Sequence, residues 1–108
     1  MYDDINSVIV QGRLVDDAQV KEKIVTFAIA NNYTYKSNNE YKEGTNFFNI
    51  ALFTNSEIQG HFREKLAKGQ KVSIKGKLVQ DRWESEDGSP RSAVKIVADP
   101  YGGIKFEK

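Results

Sequence analysis

With 108 residues, 16 Lys and Arg against 15 Asp and Glu, and no cysteine, the chain is long enough for one domain and too short for two. The missing cysteines exclude disulfides and thiolate metal sites and favour a reducing, cytoplasmic setting; no apolar run approaches the ~20 residues of a membrane span, and the acidic start Met1-Tyr2-Asp3-Asp4 does not read as a signal peptide. A net charge of +1 announces no nucleic-acid partner, but the charge is uneven: Met1 to Asp17 holds four acids and one base, Arg63 to Arg82 seven bases and two acids, a local field able to attract an anion.

Asn6 to Val15 reads as a first strand, with Gly12 inside it marking a bulge or a barrel-corner bend. Asp16 to Gln19 is a turn. Glu22 to Asn32 reads as a second strand, apolar on one face through Val25, Phe27 and Ile29 and on the other through Ile24, Ala28 and Ala30. Two apolar faces predict a strand covered on both sides, by core and by a further layer or subunit. Asn31 to Gly44 reads as a polar loop holding Tyr33, Tyr35, Tyr41, Lys36 and Lys42; its tyrosines either clamp it to the domain or stack flat ligands beside the lysines.

Thr45 to Phe53 predicts a third strand, short, aromatic and free of Gly and Pro. Successive side chains alternate, so Phe48, Ile50 and Leu52 suit a core while Phe47, Asn49, Ala51 and Phe53 share the other face. The two rings there stand ~20 Å apart with small and polar residues between them, a pattern that suits a stacking surface. Ser56 to Lys68 predicts a helix with Ile58, Phe62 and Leu66 as its stripe and Gly69 as its stop. Gln70 to Arg82 reads as a fourth strand, Val72, Ile74, Gly76 and Leu78 on one face and Lys71, Ser73, Lys75 and Lys77 on the other; Trp83 lies just beyond, before a turn at Asp87-Gly88, and Arg91 to Val97 is the fifth strand. The result is all-β with one short helix, and that order fits the five-stranded Greek-key OB-fold barrel as a single domain over residues 1–108. The fold alone does not decide the function.

Particular residues carry a family resemblance. Asn6-Ser7-Val8-Ile9-Val10-Gln11-Gly12-Arg13-Leu14 resembles the opening N-x-V-x-L-x-G-x-L pattern of the bacterial single-stranded DNA-binding protein family, with Val10 in the Leu place. Val25-Thr26-Phe27-Ala28, the run Lys68 to Leu78, and Arg82-Trp83 with Asp87-Gly88 are similar to its later segments. The resemblance spans nearly the whole chain. It implies sequence-independent binding and protection of single-stranded DNA in replication, recombination and repair, no cofactor, and a homotetramer built as a dimer of dimers. It carries the stacking aromatics onto Tyr33, Phe47, Phe53 and Trp83 and basic contacts onto Lys36, Lys68 and Arg82; Lys71, Lys75 and Lys77 join them as the basic face of the fourth strand. All four rings are expected to lie open to water along one basic groove. Asn55 stands where the family has a lysine, so one phosphate contact is expected to be missing. The chain ends at Phe106-Glu107-Lys108 without the family's acidic Pro-Phe tip, so tail-mediated replication partners are not expected.

An enzyme is not expected: His61 is the only histidine and sits among charged residues, and no P-loop or metal-ligand spacing occurs. The alternative is an OB-fold primosomal or replication accessory protein that acts mainly through protein contacts.

Overall fold

The computed structural model describes residues 3–54 and 64–108. Its strands in chain order are β1 (Val8–Leu14), β2 (Gln19–Lys21), β3 (Ile24–Ser37), β4 (Glu40–Phe53), β5 (Lys71–Glu84), β6 (Pro90–Ala98) and β7 (Ile104–Phe106). The five longer ones close on themselves: β3 lies between β1 and β4, β6 between β4 and β5, and β5 pairs back onto β1. Every ladder is antiparallel except β4 with β6, which run parallel at Ile50–Ile96 and Ala51–Val97. This is the OB-fold barrel expected from the sequence. The helix expected over Ser56–Lys68 falls mainly outside the described residues, as do Asn55, Ile58, His61 and Phe62; Glu64 and Lys65, at its end, are helical.

The core follows from two-residue alternation. Val25, Phe27 and Ile29 of β3, Ile50 and Leu52 of β4, Val72 and Ile74 of β5, and Ile96 and Ala98 of β6 point inward and are buried together with Leu14 and Leu66. Each of the larger side chains, Ala98 aside, contributes about 1.5–3 kcal/mol relative to an exposed one. Leu66 is held under the barrel by backbone bonds on either side of it. Ala18 N–H donates to the Leu66 carbonyl at 2.9 Å, Gly69 N–H donates to the Leu14 carbonyl at 2.8 Å, and the Asp17 carboxylate accepts the Lys68 N–H at 2.8 Å.

Gly12 sits where β1 changes partner. The strand pairs with β5 from Val8 to Arg13 and with β3 at Arg13 and Leu14. A Cβ on Gly12 would stand 2.6 Å from the Ala30 carbonyl oxygen, so a side chain there would drive β1 off β3. The barrel-corner role expected of this glycine is met by that close approach.

Two readings are corrected. The polar loop expected over Asn31–Gly44 is instead the outer part of a β-hairpin. β3 and β4 pair through fourteen residues each, from Ile24–Phe53 to Ser37–Glu40. Asn38 and Asn39, at φ 51° and 65°, supply the two left-handed residues of a tight two-residue turn, a conformation that Asn tolerates. Polar composition misled because an arm with water on both faces needs no apolar residue. Trp83 is within β5, not beyond it, because β5 and β6 pair on to Glu84–Pro90 as a second arm. On the outer face of β3, among the described residues, Ile24 and Thr26 are exposed and Ala28 and Ala30 are half-buried, so the second cover expected for this strand is not supplied by them. The short strands β2 and β7 were not expected either; three-residue edges carry too little pattern to see.

Candidate nucleic-acid interface

The register decides which rings share a surface, because residues directly opposite in an antiparallel ladder point to the same side. Phe47 faces Ala30 and Phe53 faces Ile24. Both therefore project from the outer face of the barrel wall, opposite to Ile50 and Leu52. Phe47 is 68% exposed and Phe53 45%, far above what a packed phenylalanine shows. Between them Ala51 is buried and Asn49 exposed, so a shallow floor links the rings. Ala28, Asn49, Phe53 and Lys95 line part of an open groove of about 460 Å³ on this face.

Lys95 of β6 completes the Phe53 end. Its Nζ lies 5.6 Å from the Phe53 ring centroid and 3.0 Å from Asp81 Oδ2. The ammonium is thus placed beside an aromatic face and partly neutralised by a carboxylate, half-exposed on both sides. Asp16 and Asp17 line the other rim of the same groove, so an anion is favoured at the Lys95 side and repelled at the other.

Tyr33 is placed differently. It pairs with Gly44, which puts it on the opposite face of the β3–β4 arm from Phe47. Its ring occupies the space over that glycine, where a Cβ would meet the ring at 2.4 Å, and stands 6.0 Å from the Tyr35 ring at a 37° tilt. At 44% exposure one side of Tyr33 is open, while the other covers bare backbone. Lys36, by contrast, lies on the Phe47 face, paired with Tyr41.

The β5–β6 arm holds the fourth ring. Trp83 is 52% exposed and sits opposite Arg91. Arg82 falls on the other face of the ribbon, its Nε and Nη2 donating to Gln80 Oε1 at 3.3 and 3.0 Å. Arg82, Trp83, Pro90 and Arg91 frame a cleft of about 470 Å³ that wraps the arm. Ser85 and Ser89 fix the tip. The Ser85 hydroxyl donates to Asp87 Oδ1 and the Ser89 N–H donates to the same oxygen at 2.9 Å. The Ser85 bond first, then the Ser89 backbone, hold the Asp87 carboxyl below its ordinary value of 3.8.

The lysines of β5 are less closely gathered. Lys71 faces Arg13 and Lys75 faces Ile9 across the β1–β5 ladder, while Lys77 faces Val97. They project outward from a strand that β6 separates from β4, so Lys71 and Lys75 do not join the Phe47–Phe53 surface. Lys68 is exposed near the barrel base. Arg91 and Lys95 add two bases to those expected from the sequence; their signal is the alternation of β6, which places both on its outward side.

Comparison with known proteins bears on the family and the fold. Residues 5–105 match the model of the single-strand binding protein family. A Treponema pallidum protein named single-stranded DNA-binding protein is 39% identical over 101 residues, which cover 88% of this chain and 55% of that protein. A Borreliella burgdorferi protein of the same name is 31% identical over 102 residues, 89% of this chain and 67% of that one. The chain thus spans about half the length of the first relative. A solved Plasmodium falciparum structure described as an SSB complex with ssDNA shares the fold, with a TM-score of 0.83 at 23% identity, covering 100% of this chain and 99% of that one.

Proposed function

This chain belongs to the single-strand binding protein family, and on that premise we propose that it binds single-stranded DNA without reading its sequence and shields it during replication, recombination and repair. One observation carries the reading: Phe47 and Phe53 stand open on one face of β4 with Lys95 against the second ring. A nucleobase in a single strand exposes its π-face, and every base has one. Stacking on an aromatic ring contributes about 1–3 kcal/mol per base and discriminates little between sequences. Duplex DNA keeps those faces stacked inside, so the same rings reject it. Lys36, Lys95, Arg82 and Arg91 neutralise phosphates and release counterions. Lys68, Lys71, Lys75 and Lys77 add to the field over a wider surface. Tyr33 and Trp83 extend stacking to the reverse of one arm and to the other arm. The protein acts as a binder and not as a catalyst.

The assembly we propose is a homotetramer, a dimer of dimers. Ile9, 75% exposed on the outer face of β1, is an apolar surface available to further copies. Sedimentation showing a monomer at micromolar concentration would overturn that assembly.

Titrating Trp83 emission with oligothymidylate tests the function. Single strands should quench the indole with an affinity that falls as salt rises, and a duplex of equal length should bind far more weakly. Equal binding of the two at moderate salt refutes the reading. No quenching and no binding of either favours an accessory role through protein contacts.

A further inference from the structure

On the Phe face of the β3–β4 arm the aromatic positions repeat. Phe53 and Phe47 are six residues apart on β4, and six residues further toward the tip is Tyr41. Six is an even step, so all three project from the same face. Each interval spans about 20 Å of strand. Tyr41 is 79% exposed, more than either phenylalanine, and has no core beneath it to fill. Its ladder partner is Lys36, whose Nζ lies 6.0 Å from the ring centroid. The tight turn at Asn38 and Asn39 ends the arm just past this pair, which places the ring close to the tip.

Resting on the single-strand reading above, we propose that Tyr41 and Lys36 form a third subsite for one nucleotide, the ring stacking the base and the ammonium meeting its phosphate, so that a bound strand follows this face of the arm out to its end. The arm's twist then winds the strand around it. One group opposes this path. Glu43 lies on the same face between Tyr41 and Phe47, opposite Thr34, so phosphates crossing that stretch lie away from the ribbon and contact is made at the two rings.

The experiment uses oligothymidylates of about 4 and about 16 nucleotides, the two ends of the usual site size per OB-fold. Tyr41→Ala should weaken the long oligomer about 5- to 150-fold, the range of one base stack, and leave the short one unchanged; Tyr41→Phe should restore binding. Glu43→Gln should strengthen the long oligomer only, an effect that a structural role for Tyr41 does not predict. In a Trp83→Phe background, Tyr41→Trp should place a reporter at the tip whose emission the long oligomer quenches. Unchanged long-oligomer affinity in Tyr41→Ala, or an unquenched tip indole, overturns the subsite. Phe47→Ala separates the two readings: if it weakens binding while Tyr41→Ala does not, the third subsite falls and single-strand binding stands. If the unaltered protein binds neither oligomer, single-strand binding itself falls.

Discussion

Replacing Phe47 by alanine should damage affinity and spare the fold. A phenylalanine side chain offers roughly 200 Å² to a partner, and Phe47 keeps 68% of its surface in water, about 135 Å² on that scale. A base laid on one face of the ring covers about half of that. At ~25 cal/mol per Å² the contact contributes about 1.7 kcal/mol, inside the range for a base–aromatic stack. Phe47→Ala should therefore raise the dissociation constant for oligothymidylate about 20-fold. Only the covered third of the side chain packs on protein, so the stability cost should stay below about 1 kcal/mol, a fall in Tm of less than about 8 °C. Trp83 lies on the other arm and still reports binding by its quenching, while circular dichroism follows the melt. Ile29→Ala, on the same wall but pointing inward and fully buried, should show the reverse pattern: about 2–5 kcal/mol of stability lost and little change in intrinsic affinity where the protein remains folded. An unchanged dissociation constant for Phe47→Ala, with a normal melt, would refute the argument that the exposed ring is a stacking platform.

Two further outcomes are expected. Gly12→Ala places a methyl 2.6 Å from the Ala30 carbonyl oxygen and should cost about 1–3 kcal/mol by prying β1 from β3, seen as a lower midpoint in urea unfolding; an unaltered midpoint would mean the barrel corner yields freely. The depressed Asp87 carboxyl stabilises its turn at pH above the ordinary value of 3.8, and that contribution is lost as pH falls through the lower folded value. Ser85→Ala removes the largest cause and should move the carboxyl's NMR titration midpoint back toward 3.8.

The barrel was readable because its strands carry buried aliphatics at alternate positions, as in Val25-Thr26-Phe27 and Val72-Ser73-Ile74, with Gly12 marking the corner. The arms were not readable in the same way. From Asn31 to Gly44 nothing is buried, so no hydrophobic period exists to distinguish a ribbon from a loop; only the Asn38-Asn39 pair hinted at a hairpin turn. The site followed the same division. Phe47 and Phe53 could be assigned to one outward face from their spacing, and all four predicted rings are at least 44% exposed. The opposite placement of Tyr33 could not be foreseen, because face assignment beyond Ala30 depends on continuing a strand that the composition hides. Lys95 was missed for a geometric reason: its neighbour Phe53 lies on β4, and only the parallel β4–β6 ladder brings the two together.

The seam of the barrel is the β1–β5 ladder, where Val8 meets Gly76 and Arg13 meets Lys71. Segments so distant along the chain must lose much freedom before their pairing stabilises anything, whereas the β3–β4 hairpin closes through a local turn. The physics therefore favours the hairpin forming early and the cylinder shutting late. Until it shuts, two unsatisfied strand edges face the solvent, and any second molecule at the same stage presents matching ones. Crowding of newly made chains is thus most hazardous in the interval before the first strand reaches its distant neighbour.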